Sequence, residues 1–314
     1  MKRRKLMPVF LVLPLVIAML LIPLIALTPK ESQKSETKAD ISKIEHIKLR
    51  RVALNKTVEL SVDDYLVGVV ACEMSAQFEK QALMAQAVAA RTMLYRTIEN
   101  GGTISDDSNT FQGYCDEGER KKKWNDKFGE YEQKIRSAVT STNGEILTYN
   151  AQPILASYFA LSAGKTESAK NVWGEDYPYL QAVESVGDMM ADGFITKVSV
   201  STADYISTAK SLGATNTDNP TPDSEPSMSE SGTVLQYNFC GKSVTGKQMR
   251  TAFKLRSAVF TVEKTSDKFV FTVRGYGHGV GMSQNGANYM ARQGSGYKEI
   301  LLWYYKGCNI DKVN

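Results

Sequence analysis

Apolar and polar positions follow two different periods along most of this chain, and one opening stretch follows neither. Leu6 to Leu27 runs 22 residues without a charge, directly behind the basic cluster Lys2, Arg3, Arg4 and Lys5. A helix of about 20 apolar residues is enough to cross a bilayer, and a basic cluster stays on the cytoplasmic side. Residues 1–5 are therefore expected to be a cytoplasmic tail, and 6–27 a single transmembrane anchor. A cleaved signal peptide has a shorter apolar core and a small-x-small site behind it. No Ala-x-Ala follows Leu27, which favours an uncleaved anchor. Residues 28–45, rich in Lys, Glu and Ser, read as a polar tether that lifts the remainder off the membrane.

From about residue 46 the pattern becomes globular. "IKLRRVALNKTVELSV" alternates as a β-hairpin does. Ser61 with Asp64 three residues later reads as a helix N-cap, and the spacing predicts a helix over Val62–Met74. Phe78–Ile98 is a second predicted helix, rich in alanine (Ala82, Ala85, Ala87, Ala89, Ala90) and stopped by "NGG". Residues 103–133 are polar and irregular until a short helix near "YEQKIRSAVTST". Strand-like pieces follow in "EILTYN", "QPILASYFAL" and "LQAVES", then a helix at "TADYISTAKSL". Residues 213–232 are polar and of low complexity, which predicts a flexible surface insertion. A short helix, a strand hairpin, the glycine-rich "GYGHGVGMSQNG" and the helix "ANYMARQ" complete the chain. Helices and strands do not alternate regularly, so the expected class is α+β. It would be a single domain over 46–314, with helices packed on mainly antiparallel strands and lying outside the cytoplasm.

Composition narrows the function by exclusion. The chain has 314 residues, and four of the basic groups behind its net charge of +4 are at the N-terminus. The rest is near neutral and makes no case for nucleic acid. The cysteines, Cys72, Cys115, Cys240 and Cys308, are far apart and form no CxxC. With only His46 and His278 available, a multi-histidine metal centre is out of reach.

The candidate chemistry begins with Glu73. Leu66, Val69, Val70 and Glu73 fall at i, i+3, i+4 and i+7, so the carboxylate continues a buried stripe. It also sits in the last helical turn, where the dipole is negative. Both effects disfavour its charge and raise its pKa, as a general acid requires. A half-exposed glutamate, or one satisfied by a buried arginine, is the plainer alternative. Arg91 and Tyr95, one turn apart on the second helix, either point at the same site or belong to the core. "FALSAGKTES" sets Ser162, Lys165 and Thr166 about Gly164, as a ligand-binding turn or a surface loop. Trp173, Tyr177 and Tyr179 suit sugar stacking and core packing equally. The glycine-rich loop fits neither G-x-G-x-x-G nor a Walker motif, nor a G-x-S-x-G elbow; it presents His278, Ser283 and Gln284 on a tight backbone.

Four phrases then acquire a common meaning. "DDYLVGVVACEMSAQFEKQALMAQAVAARTMLY", "ASYFALSAGKTESAKNVWGEDYPYLQAV", "GKQMRTAFKLRSAVFTV" and "GYGHGVGMSQNGANYMA" resemble the stage II sporulation protein D and amidase-enhancer family, in order and over about residues 46–310. The resemblance implies a membrane-anchored lytic transglycosylase that acts on peptidoglycan glycan strands during engulfment in sporulation. It implies two partners: an amidase/endopeptidase of the stage II protein P type and a polytopic membrane protein of the stage II protein M type. By the resemblance Glu73 is the catalytic acid/base. Arg91, Tyr95, Tyr158, Ser162, Lys165, Thr166, His278 and Gln284 would contact glycan. Some members of the family carry zinc at a His-Cys pair ahead of a glutamine. Here "DSNTFQGYC" has Thr110 and Phe111 instead, so neither a metal nor another cofactor is expected. One carboxylate suffices for transglycosylation, whereas hydrolysis usually uses two. Asp63 and Asp64 lie at the other end of the predicted helix, about 15 Å from Glu73 at 1.5 Å per residue. A non-catalytic glycan-binding scaffold that stimulates an amidase is the rival reading.

Overall fold

The computed structural model describes residues 41–108 and 110–313. The expected anchor over 6–27 and most of the tether lie outside the described residues. Among these no helix is long and apolar enough to cross a membrane.

The chain enters through the expected hairpin, β1 (His46–Arg51) and β2 (Lys56–Ser61), antiparallel with Arg51 opposite Lys56. Asn55 turns it with φ of 46°, a conformation asparagine tolerates well. α1 (Val62–Glu73) starts where expected, with the Ser61 hydroxyl accepting the Asp64 N–H at 3.1 Å. α2 (Lys80–Glu99) starts two residues later than expected, behind Glu79, which makes no capping bond. Its five alanines are fully buried, and their small side chains let α2 run through the centre of the first core.

Residues 103–133 are more ordered than their polarity suggests. They hold α3 (Glu117–Trp124), opened by a reciprocal capping box between Asp116 and Glu119. The charged sequence EGERKKKW has no apolar stripe to announce it. Its first turn is instead tied down by the buried Arg51, which pairs with Asp106 at 2.6 Å and with Asp116 and Glu119 at 3.0 Å. α4 (Phe128–Ser141) buries Tyr131, Ile135, Ala138 and Val139 on one face and packs on α1 and α2. β3 (Glu145–Tyr149) and β4 (Gln152–Pro153) follow, then β5 (Tyr158–Phe159) and the short α5 (Ala169–Trp173). "LQAVES" is not a strand; only an isolated bridge from Glu184 to Lys165 forms there.

A second hydrophobic core then appears within the same compact body. β6 (Ile195–Ser201), α6 (Thr202–Ser211), β7 (Ser227–Met228), β8 (Val234–Phe239), β9 (Lys242–Val244), α7 (Gly246–Ala252), β10 (Phe260–Lys264) and β11 (Lys268–Arg274) build it. Two antiparallel sheets, ordered β10-β11-β6 and β7-β8-β9, enclose Tyr205, whose ring stacks on Phe269 at 3.6 Å. The chain leaves the first core at Phe194 and returns at Gly275, whose N–H donates to the Phe194 carbonyl at 2.9 Å. β12 (Met282–Ser283), parallel to β5, then α8 (Gln284–Arg292), α9 (Tyr297–Tyr304) and β13 (Asn309–Lys312) on β3 complete the first core. The α+β class is therefore correct.

The insertion over 213–232 makes polar contacts with the second core and with Glu167. The Tyr237 hydroxyl accepts the Asp223 N–H at 3.0 Å, Asp223 accepts the Asn238 N–H at 2.7 Å, and Lys264 donates to the Pro220 carbonyl at 2.8 Å. Ser229 and Ser231 donate to the buried Glu167. Polar side chains hold this segment where apolar ones are missing, and its composition gives no sign of that.

Candidate active site

Glu73 is the last residue of α1, and Met74 behind it is already extended. The side chain is half-buried. Its Oε1 accepts the Gly113 N–H at 2.6 Å. Burial raises its pKa, while the Gly113 N–H and the Lys123 charge pull against that. Lys123 donates to the Ala71 carbonyl at 2.8 Å, which satisfies one of the open carbonyls at the end of α1. Among the described residues Oε2 accepts no hydrogen bond, so a proton on Glu73 resides there. The net result is a carboxyl group that keeps its proton at higher pH than an ordinary glutamate.

Gly113 is glycine for a local reason. A Cβ there would lie 3.0 Å from both Glu73 Oε1 and Cys72 Sγ. Beside it, Gln112 is almost wholly buried. Its amide donates to the Tyr65 hydroxyl at 3.1 Å and its Oε1 accepts the Tyr158 hydroxyl at 2.9 Å. Both phenols feel the Glu73 charge; burial first, then that charge, holds Tyr158 well above the ordinary tyrosine range. Tyr158 is thus a neutral donor beside the acid. Cys72 keeps its proton and hydrogen-bonds Cys115, whose thiol that contact draws down to about 7.

Of the residues expected at the site, only Glu73 and Tyr158 come together in this way. Arg91 has no exposed surface. Its guanidinium donates to the carbonyls of Thr142 at 2.7 Å, Val139 at 3.1 Å and Glu145 at 3.2 Å. It closes the C-terminal end of α4 from a buried position. Tyr95 is likewise buried. Both feel the charge of Asp63, at the far end of α1 from Glu73. Ser162 and Thr166 are buried, accepting the N–H groups of Gly164 at 3.1 Å and Val183 at 2.9 Å. These bonds shape the loop, and Ser162 also lines a small cavity with Lys165 and His278. Lys165 reaches out to Glu230 at 3.2 Å and Glu184 at 3.7 Å.

Gln284 is buried against Gln86 at 3.3 Å. His278 lies against Phe159 and Trp173, with ring centres 5.5 Å from each. Tyr177 and Tyr179 pack on each other at 5.7 Å, with Tyr179 in the first core. Asp188 escaped sequence reading altogether. It is fully buried and accepts from the Ser162 N–H at 2.9 Å and the Ser283 hydroxyl at 2.8 Å. Burial still raises its pKa. Gln112, Gly113 and Lys123 were also missed, although the first two sit in the "FQGYC" stretch.

Comparison with known proteins places this arrangement in context. A family model described as stage II sporulation protein matches residues 50–149, which include Glu73, Gln112, Gly113 and Lys123. The chain is 36% identical to stage II sporulation protein D of Bacillus subtilis over 268 residues, covering 83% of this chain and 77% of that protein. It is 32% identical to the protein of the same name from Bacillus amyloliquefaciens, covering 98% and 96%. The amidase enhancer of Bacillus subtilis is 30% identical over 78% of this chain and 40% of its own length.

Proposed function

Starting from a chain that belongs to the stage II sporulation protein D family of sporulation proteins, we propose that it is a peptidoglycan lytic transglycosylase with Glu73 as its single acid/base. One observation carries the reading: a half-buried carboxyl at a helix C-terminus, its pKa raised by burial, with one oxygen fixed by Gly113 and the other free. Among the described residues Gly113 and Lys123 oppose that rise, and no second carboxylate contributes to it. A water-using glycosidase usually has a second carboxylate.

In the proposed reaction Glu73 Oε2 protonates the glycosidic oxygen as the bond from the muramoyl C1 breaks. The C6 hydroxyl of the same sugar then attacks C1 and returns its proton to Glu73. One C–O bond is exchanged for another, no water is consumed, and the product is a 1,6-anhydro end. The acid must serve in both directions, which favours a pKa near the working pH. Ring attack from within the sugar is a proximity effect, so holding the ring is the protein's main task. Tyr158, pinned by Gln112 beside Glu73, is placed for that. The reading includes an anchor in the cell membrane through residues 6–27, an extracytoplasmic catalytic domain, and action in engulfment beside an amidase/endopeptidase and a polytopic membrane protein.

Mass spectrometry of digested glycan strands tests it. Anhydro-ended products that disappear with Glu73→Gln are the expected result; reducing ends would sink it. The likeness to an amidase enhancer favours one other reading, a glycan-binding scaffold that stimulates an amidase. Strand binding and amidase stimulation unchanged in Glu73→Gln, with no cleavage by the natural chain, would establish that instead.

A further inference from the structure

Apart from the acid, a cavity of about 420 Å³ opens between α5, β8 and α7, against the glycine-rich loop. Three cations line it: Lys170, Lys247 and Arg250. Arg250 is half-buried, and among the described residues the one hydrogen bond of its guanidinium runs from Nε to the Leu255 carbonyl at 3.4 Å. No carboxylate there forms an ion pair with any of the three. Burial already presses on the charged form of Arg250, and an unpaired half-buried cation is costly. Val172, Val234 and Ala258 give the same cavity apolar walls.

No carboxylate is among the residues that line the cavity. His278 forms part of the wall; its Nδ1 accepts the Val280 N–H at 3.1 Å, and the Tyr158 backbone favours its charged form. Burial, then the Arg250 charge, pushes it down to about 4, so it is neutral at neutral pH. Glu167 adjoins the cavity through Asn171 but is already satisfied, by the Ser168 N–H at 2.8 Å, the Asn171 amide at 2.9 Å and the hydroxyls of Ser229 and Ser231. The site thus has excess positive charge, a shape that admits a small group, and no internal counter-ion.

We propose that this cavity binds a carboxylate carried by peptidoglycan on its muramoyl sugars. That is the lactyl carboxylate of a strand without stem peptides, or a carboxylate of the stem itself. The inference rests on the peptidoglycan reading above. β5 links the two places: the Tyr158 hydroxyl donates to Gln112, next to the Gly113 that holds Glu73, and Phe159 packs on His278 at the cavity wall. An anchored carboxylate therefore sets which glycosidic bond reaches the acid. A strand of N-acetylglucosamine alone has the same backbone and lacks the handle.

The test uses the full chain in non-ionic detergent, with Glu73→Gln so that strands stay uncut. Binding is measured to stem-free strands, stem-bearing strands, chitin oligomers of matched length and a glycerol-phosphate polymer. At least one kind of muramoyl strand should bind tenfold or more tighter than chitin, about 1.4 kcal/mol, and the advantage should shrink with salt. Whichever kind gains identifies the source of the carboxylate. Lys247→Gln with Arg250→Gln should erase the gain and leave chitin binding unchanged. Lys170→Gln with Lys247→Gln, both exposed and harmless to folding, should reduce it severalfold. Equal binding of chitin and muramoyl strands overturns the inference and spares the peptidoglycan reading. So does displacement of the strands by the phosphate polymer alone. A chain that binds none of the glycans overturns both.

Discussion

Replacing Arg91 by methionine separates a structural arginine from a ligand-binding one. The substitution keeps most of the side-chain volume and removes the guanidinium. Three hydrogen bonds from a charged donor to carbonyls are lost, at 2.7, 3.1 and 3.2 Å, each worth about 1.5–3 kcal/mol, with a longer one to the Thr142 hydroxyl at 3.4 Å. Two opposing effects reduce that sum. The Thr142 carbonyl still accepts the Glu145 N–H and the Val139 carbonyl still accepts the Thr142 N–H, so neither is orphaned. The cost of burying the cation, which lowers the Arg91 pKa, also vanishes. A net loss of about 3 kcal/mol remains, which for a domain of this size lowers Tm by roughly 6–12 °C. Thermal unfolding by circular dichroism reads the shift, and strand binding well below Tm reads the ligand role. The expected outcome is a large fall in Tm with strand affinity within about twofold of the parent. An unchanged Tm with binding lost would refute the capping role and return Arg91 to the glycan.

Three further outcomes follow from the same geometry. Glu73→Gln should raise Tm above the ordinary carboxyl range and not below it. A raised native pKa means the charged form is penalised on folding, so the gain grows as pH rises through that range and levels off above the native pKa; calorimetry at pH 4 and pH 8 decides. Gly113→Ala places a methyl 3.0 Å from Glu73 Oε1, weakens the N–H contact that favours the carboxylate, and so moves the alkaline limb of the cleavage profile upward; an unmoved limb would remove Gly113 from the mechanism. Glu167→Gln should loosen residues 229–233 and quicken proteolysis there. Burial disfavours the Glu167 carboxylate, but its hydrogen bonds outweigh burial and lower its pKa, so its stabilisation is present above the ordinary glutamate range and lost as pH falls through the lower native pKa.

What could be read in advance had a short range. The hairpin, α1 with its Ser61 cap and α2 each announce themselves through neighbours a few residues apart, and the structure keeps them. Glu73 was legible for the same reason, since stripe and helix end are both local. α3 was not, because a helix without an apolar face is specified by Arg51, more than fifty residues earlier in the chain. Whether Arg91 and Tyr95 face the site or the core stays open in the sequence because helical spacing gives a face and not what covers it; α4 covers Arg91. Gln112 and Gly113 carry no period or charge, and only the approach of their loop to α1 gives them a role. The second core hides in a stretch whose aromatics, Tyr205, Phe239, Phe253, Phe269 and Phe271, are scattered along the chain and meet only on folding.

The bond between Gly275 and Phe194 joins the two places where the chain leaves and re-enters the first core. The segment between them has its own apolar interior and also meets the first core where Ser229 and Ser231 donate to Glu167. Such a lobe behaves in evolution as a cassette. It can be lengthened, shortened or exchanged without changing the path of the helices that hold Glu73, because its two ends already lie side by side. The cationic cavity straddles that attachment, drawing Lys247 and Arg250 from the lobe and Lys170 and His278 from the first core. Changes confined to the lobe therefore alter two of the cavity's three cations without touching the helix that carries Glu73.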